Sequence, residues 1–184
     1  MNLGLPAREP LPAPPTGLPV AALFDRHAPF VHRVAQRLTG SAAAADDVVQ
    51  EVFLVAHAQG SALVDEHGIR TWLYRCTVNV SRQRRRASRR YDGAVDRFGA
   101  EAAPGPGTPE IELGRRQNAE RVRSCIAALS EPHREVLVLF ELEGVEGAEI
   151  AEILEIPLNT VWSRLRLARE AFRPRWLQLQ GGHP

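Results

Sequence analysis

The amino-acid sequence predicts an all-α protein built as two small helical domains joined by a flexible linker. Three observations lead there. Apolar residues recur at helical spacing on both sides of a Gly-, Pro- and Ala-rich stretch; no segment alternates as a strand does; and glycines, prolines and small hydroxyl residues stand where helices would begin and end. At 184 residues the chain has room for one ordinary domain or two small ones.

Residues 1–19 hold six prolines among small residues and show no period, so a disordered lead-in is expected. From Val20 the apolar positions Leu23, Phe30, Val31, Val34 and Leu38 share one helical face, and Gly40 ends that helix. Ser41 is placed to cap a second helix running to about Gln59, with Gly60 after it. A loop, SALVDEHG, precedes a third helix from about Ile69 to Arg90, completing a first domain over residues 20–90. Residues 91–118 turn rich in Gly, Pro and Ala and read as the linker. Helical spacing resumes at Val122, Cys125, Ile126 and Leu129 in a second domain, residues 119–178. There Ser130 is expected to cap a helix that Gly144 stops, with Pro132 tolerated in its first turn. A short helix over about 147–154, a tight turn at Glu155–Pro157 and a longer helix to about Phe172 follow, with Pro174 ending the last; residues 179–184 form a tail.

Composition narrows the function classes. All 23 basic residues are arginine, the cation best suited to bidentate contact with phosphate and guanine. The net charge of +1 conceals segregation: residues 119–155 hold three Arg and nine Glu, residues 156–178 five Arg and one Glu. No apolar run approaches the ~18 to 20 residues of a membrane span, and the N-terminus lacks a charged-then-apolar signal pattern, so a cytoplasmic location without membrane insertion is expected. Cys76 and Cys125 stand far apart among apolar helical neighbours and read as reduced core residues. There is no GxxxxGK[ST] nucleotide loop, and the six histidines show no ligand spacing. Neither a cofactor, a metal nor an enzymatic reaction is expected.

Three constellations carry the functional signal. In residues 135–169, Ile150, Ala151, Ile153 and Leu154, then Ile156, then Val161 and Leu165 give two short amphipathic helices across a tight turn, which is helix-turn-helix spacing. Asn159, Thr160, Trp162, Ser163, Arg164, Arg166 and Arg169 lie off the apolar face of the second helix, where they can meet phosphates and base edges. The bland reading is a helical hairpin with a solvated arginine face. Second, residues 70–90 carry eight Arg and no acid, with Trp72, Tyr74 and Asn79 interleaved. Rings stack on separated bases, guanidiniums hold phosphate and amides read edges, so Arg75, Asn79, Arg82, Arg84, Arg85 and Arg86 are candidate nucleic-acid contacts; Trp72 is expected in the core. Third, in ADDVVQEVF (45–53), Asp47, Gln50 and Glu51 share an outer face while Val49, Val52 and Phe53 turn inward. Periodicity alone makes that a solvated face.

In this order and spacing the three segments resemble the extracytoplasmic-function (ECF) sigma factors of bacterial RNA polymerase, within the sigma-70 family. ADDVVQEVFLVA resembles the family's DAEDLVQEVFLRA stretch, which implies that Asp47, Gln50 and Glu51 contact core RNA polymerase. WLYRCTVNVSRQRRR is similar to the helix that reads and opens the −10 element, which assigns Arg75, Asn79, Arg82, Arg84, Arg85 and Arg86 to −10 DNA. The C-terminal helix-turn-helix looks like the domain that reads the −35 element, which assigns it the seven residues from Asn159 to Arg169 named above. The first domain is then sigma region 2 and the second sigma region 4. The implied function is promoter-specific initiation, with core polymerase, promoter DNA and an anti-sigma factor as partners. A stand-alone helix-turn-helix regulator and a sigma-like protein that sequesters an anti-sigma factor are the alternatives.

The chain departs from the family pattern at four places. Glu155 stands in the turn where Gly is frequent; at φ > 0 it costs ~1 kcal/mol. Glu146 replaces the usual Ser or Thr cap, forfeiting about 0.5–2 kcal/mol. Gly147 and Ala148 replace bulkier residues, so the first half of the helix-turn-helix must lean on tertiary packing. Trp162 occupies a position where lysine is common; lying ~100° round the helix from Val161, it reads as a specificity residue, the alternative being a ring folded back over Leu158 or the preceding helix. The lead-in generates the first test. Deleting residues 1–18 should leave promoter-specific transcription nearly intact, because a proline-rich segment without apolar period buries little; in run-off assays, loss of core binding would reveal a functional arm there.

Overall fold

A computed structural model describes residues 20–59, 66–91 and 109–180. The expected disorder of 1–19, most of the linker and the final residues fall outside these. The described residues form α1 (Val20–Thr39), α2 (Ala42–Gln59), α3 (Glu66–Tyr91), α4 (Pro109–Ala127), α5 (Glu131–Leu137) running into a π-helical turn (Val138–Leu142), α6 (Gly147–Leu154) and α7 (Leu158–Gln180).

The first three helices follow their apolar stripes. Leu23, Val31 and Ala35 of α1 pack on Val48, Val52 and Phe53 of α2 and on Trp72, Leu73 and Cys76 of α3. Gly40, at φ 79, closes α1, its N–H donating to the Gln36 carbonyl at 2.8 Å. The Ser41 Oγ accepts from the Ala44 N–H at 3.3 Å, the expected cap of α2. Trp72 is a core residue, and Cys76 and Cys125 are buried free thiols. Burial pushes the Cys76 thiol up to about 12, so it stays protonated at neutral pH.

Four boundaries differ from expectation. Helix α3 begins at Glu66, inside the anticipated loop. Residues 109–118, placed in the linker, belong to α4; Pro109 stands at its first position, where the missing N–H costs nothing. Ser130 makes no side-chain cap bond, so α5 starts on Pro132 and Glu131 without one. Pro174 lies inside α7, which continues to Gln180; the ring of Phe172 stacks on Trp176 across it, with centroids 6.2 Å apart.

The two lobes also share a core. Val34, Leu38, Tyr74 and Val78 of the first lobe join Ile126, Val136, Leu139, Ile150, Val161 and Leu165 of the second. At its edge Arg134, 2% exposed, donates from Nε to the Ile126 carbonyl at 2.9 Å and from Nη2 to the carbonyls of Leu129, at 2.8 Å, and Ala127. Its Nη1 reaches the Leu38 carbonyl at the end of α1, 3.4 Å away. Carbonyls in the last turn of a helix lack intrahelical donors, and a cation there also meets the negative end of the dipole. One side chain thus terminates α4 and ties it to α1. Arg134→Met should destabilise the folded chain by about 3 kcal/mol, since hydrogen bonds from a charged donor are lost and buried acceptors left unpaired; a urea melt reads this out.

Candidate nucleic-acid and polymerase interfaces

The helix-turn-helix is built as its spacing implies. Ile150, Ile153 and Leu154 of α6 and Val161, Leu165 and Ala168 of α7 turn inward. Between them Glu155 is left-handed (φ 55, ψ 46), the Ile156 N–H reaches back to the Ala151 carbonyl at 3.0 Å, and the Glu155 N–H donates to Glu152 at 3.4 Å. That is a Schellman closure with glutamate where glycine is favoured. Glu146 makes no side-chain cap bond at the start of α6.

On α7, Asn159, Ser163 and Arg166 are exposed on the side away from the core, and Thr160 and Arg164 are half-buried toward one flank. Arg166 pairs with Glu170 one turn on, at 2.6 Å. Trp162 and Arg169, seven residues apart, occupy the other flank. There Phe140 of the π-helical turn sits edge-on to Trp162, with centroids 5.7 Å apart, and under the Arg169 guanidinium at 5.6 Å. Arg169 also bonds Glu141, from Nε at 2.8 Å. The Trp162 ring rests on Gly147 yet remains 44% exposed. It both folds back on the preceding helix and shows a face to solvent.

The candidates on α3 divide by face. Arg75, Asn79, Arg82 and Arg86, at intervals of four, three and four, form one stripe. That stripe is turned toward the second lobe. Arg82 grips Glu135 with two bonds of 2.6 Å and donates to Asn79 Oδ1 at 3.3 Å. Arg75 donates to the Glu152 carbonyl at 2.6 Å and pairs with Glu155 at 3.2 Å; Arg86 reaches Glu131 at 3.4 Å. The other two arginines reach α1 and α2 of the first lobe. Arg85 donates to the Leu38 carbonyl at 3.1 Å, while Arg84 pairs with Asp47 at 2.8 Å and Glu51 at 3.3 Å. Asp47 and Glu51 are therefore engaged by a second candidate residue, and Gln50 lies exposed beside them.

Sequence reasoning passed over the acids that complete this arrangement. Besides Glu131 and Glu135, Glu149 accepts from Thr71 at 3.0 Å, and Glu143, its carboxylate 2% exposed, takes Arg33 at 3.1 Å and Arg37. Their signal was the block of nine Glu in residues 119–155 of a chain whose α3 is arginine-rich; Glu131, Glu135, Glu149 and Glu155 of that block bond to α3. Among the described residues no cluster of His, Cys, Asp and Glu is fit to hold a metal, and no helix is long and apolar enough to cross a membrane.

Comparison with known proteins places both lobes. Residues 23–91 match the family model for Sigma-70 region 2, and residues 119–172 that for Sigma-70, region 4. The chain is 36% identical over 155 residues to the ECF RNA polymerase sigma factor SigL of Mycobacterium tuberculosis (strain ATCC 25618 / H37Rv), covering 83% of this chain and 85% of that one. It is 32% identical over 152 residues to the ECF RNA polymerase sigma-E factor of Escherichia coli K12, covering 77% and 80%. Among solved structures, the sigma factor RpoE of Bartonella quintana, bound to the anti-sigma factor NepR, superposes with a TM-score of 0.64 at 19% identity over 89% of this chain and 98% of that one. CnrH in complex with the cytosolic domain of CnrY superposes at 0.60 and 24% identity, covering 89% of each.

Glu135 and Glu143, with carboxylates 4% and 2% exposed, hold the lobes together where solvent screens little. Glu135→Gln combined with Glu143→Gln should lengthen the distance between fluorophores on α2 and α7 and leave helical content by circular dichroism unchanged. An unaltered distance would mean that the shared apolar core alone sets lobe closure.

Proposed function

Because the chain belongs to the ECF sigma factors of the sigma-70 family, we propose that its first lobe docks on core RNA polymerase and captures the opened −10 strand while α7 enters the −35 major groove. Promoter-directed transcription initiation is the function; the assignment of residues to its steps is the proposal. Asp47, Gln50 and Glu51 on α2 meet the polymerase. Arg75, Asn79, Arg82 and Arg86 hold the −10 strand, with Arg84 and Arg85 at its margin. The outer residues of α7, Asn159, Thr160, Ser163, Arg164 and Arg166, with Trp162 and Arg169 on the shoulder, engage the −35 element. No bond-making step is required of any of them; the work is binding and strand separation in the cytoplasm, where the polymerase is. An anti-sigma factor is the expected further protein partner.

The observation that carries this reading is the stripe at positions 75, 79, 82 and 86: an unbroken row of polar and cationic groups along one face of a helix suits a nucleic-acid backbone. Glu131, Glu135 and Glu155 occupy those same guanidiniums when the lobes are together. Phosphates and glutamates compete for one set of donors, so the reading requires that the second lobe leave α3 before the −10 strand binds. Polymerase, by taking Asp47 and Glu51, would also release Arg84.

Purified core enzyme supplies the test. With it the chain should direct promoter-dependent run-off transcripts, which a stand-alone regulator or an anti-sigma decoy cannot do. Asp47→Ala, Gln50→Ala and Glu51→Ala together should weaken core binding at least tenfold, about 1.4 kcal/mol, with the melting curve of the lobe retained. Undiminished affinity would return α2 to a solvated face.

A further inference from the structure

Gly147 is buried at the first position of α6, and its backbone does not require glycine, since only Gly40 and Gly144 among the described glycines have positive φ. Space is what requires it. A Cβ built there would lie 2.5 Å from both Cη2 and Cζ2 of Trp162, closer than two non-bonded carbons approach. The indole occupies the volume that a side chain at 147 would fill. Phe140 supports the same ring edge-on, and Phe140 is itself held beneath Arg169. Trp162 is thus seated against α6 and the π-helical turn, between the buried stripe of Val161 and Leu165 and the outward Ser163 and Arg166, with 44% of its surface open.

We infer that Gly147 is a positioning residue for promoter specificity: by leaving room for the indole, it holds Trp162 as a fixed apolar wall on the shoulder of α7 that selects a thymine at one −35 base pair through its C5 methyl. The inference rests on α7 being the −35 reader. Apolar contact with the thymine methyl is one of the few ways a side chain without charge distinguishes a base in the major groove. A ring seated on backbone keeps its place on binding, whereas a long charged side chain there would adapt to several bases. Any side chain at 147 would lift the indole from its seat and move that wall.

The coupling makes the effect of one methyl group depend on the ring. Alanine is preferred to glycine in helices, so Gly147→Ala should raise the melting temperature wherever the Trp162 ring is absent and lower it where the ring is present. The experiment compares the wild type, Gly147→Ala, Trp162→Ala, the double variant and Arg166→Ala, each with core polymerase on a promoter library randomised across the −35 element. Wild type should favour thymine at one position about tenfold; Gly147→Ala and Trp162→Ala should each abolish that preference, and Gly147→Ala should add nothing in the Trp162→Ala background. A retained thymine preference in Gly147→Ala overturns the inference, as does a loss of stability from Gly147→Ala that persists without the ring. If Arg166→Ala changes preference elsewhere in the element while Gly147→Ala does not, the shoulder assignment alone fails. If none of these variants alters −35 preference, α7 is not the reader.

Discussion

The carbonyl of Leu38, at the last turn of α1, accepts from Arg134 of α5 and from Arg85 of α3. Around it three helices from two lobes are brought to one point, and Arg134 carries the arrangement on to the end of α4. A buried guanidinium is tolerable only when its donors are met, because an unpaired charge away from water is strongly unfavourable. The carbonyls are equally in need of donors. Most of the Arg134 donors are met within its own lobe, and Arg85 also serves the Leu38 carbonyl, so the 3.4 Å bond from Arg134 to Leu38 sets the position of α5 against the first lobe while leaving both sides satisfied if the lobes separate.

Around that node the charges are sorted. The first lobe presents arginines from α1 and α3; the second presents Glu131, Glu135, Glu143, Glu149 and Glu155. Surface pairs of this kind contribute little, but Glu135 and Glu143 are almost wholly enclosed and their geometry is close. The α3 arginines among them, Arg75, Arg82 and Arg86, are also the ones proposed to hold DNA. Closure and promoter capture are therefore alternatives for one set of side chains, and the near-neutral overall charge is the sum of two halves that oppose each other.

The all-α class, the two lobes, the caps at Gly40 and Ser41 and the turn at Glu155 were legible because each depends on local chemistry: a period, a hydroxyl or a left-handed residue. What escaped was two prolines read as breaks and the contacts made between distant elements. Residues 109–118 looked like linker because Gly, Pro and Ala surround them, although Pro109 opens a helix. Pro174 looked like a stop, yet α7 continues past it with Phe172 stacked on Trp176. The inward stripe Val161, Leu165 and Ala168 was visible from spacing alone; the seat of Trp162 on Gly147 was not, because the two residues are brought together only by the turn between their helices. Pairing of α3 with the second lobe needed the tertiary structure, although the opposed charge blocks were plain in the sequence.

Helix α6 is short, lacks a side-chain cap and ends on a strained glutamate. Besides its packing on α7, it is supported from α3, through Thr71 on Glu149 and Arg75 on both the Glu152 carbonyl and Glu155. If the lobes part as proposed, that splint is withdrawn and the strain at Glu155 remains. The separated second lobe would then be a softer object than the docked one, with α6 fraying and its amide hydrogens exchanging sooner. Its order would be restored by the DNA it grips, so part of the binding free energy is diverted into refolding the supporting helix. A reader of that kind would trade affinity for reversibility, releasing its promoter more readily than a rigid helix-turn-helix with the same contacts.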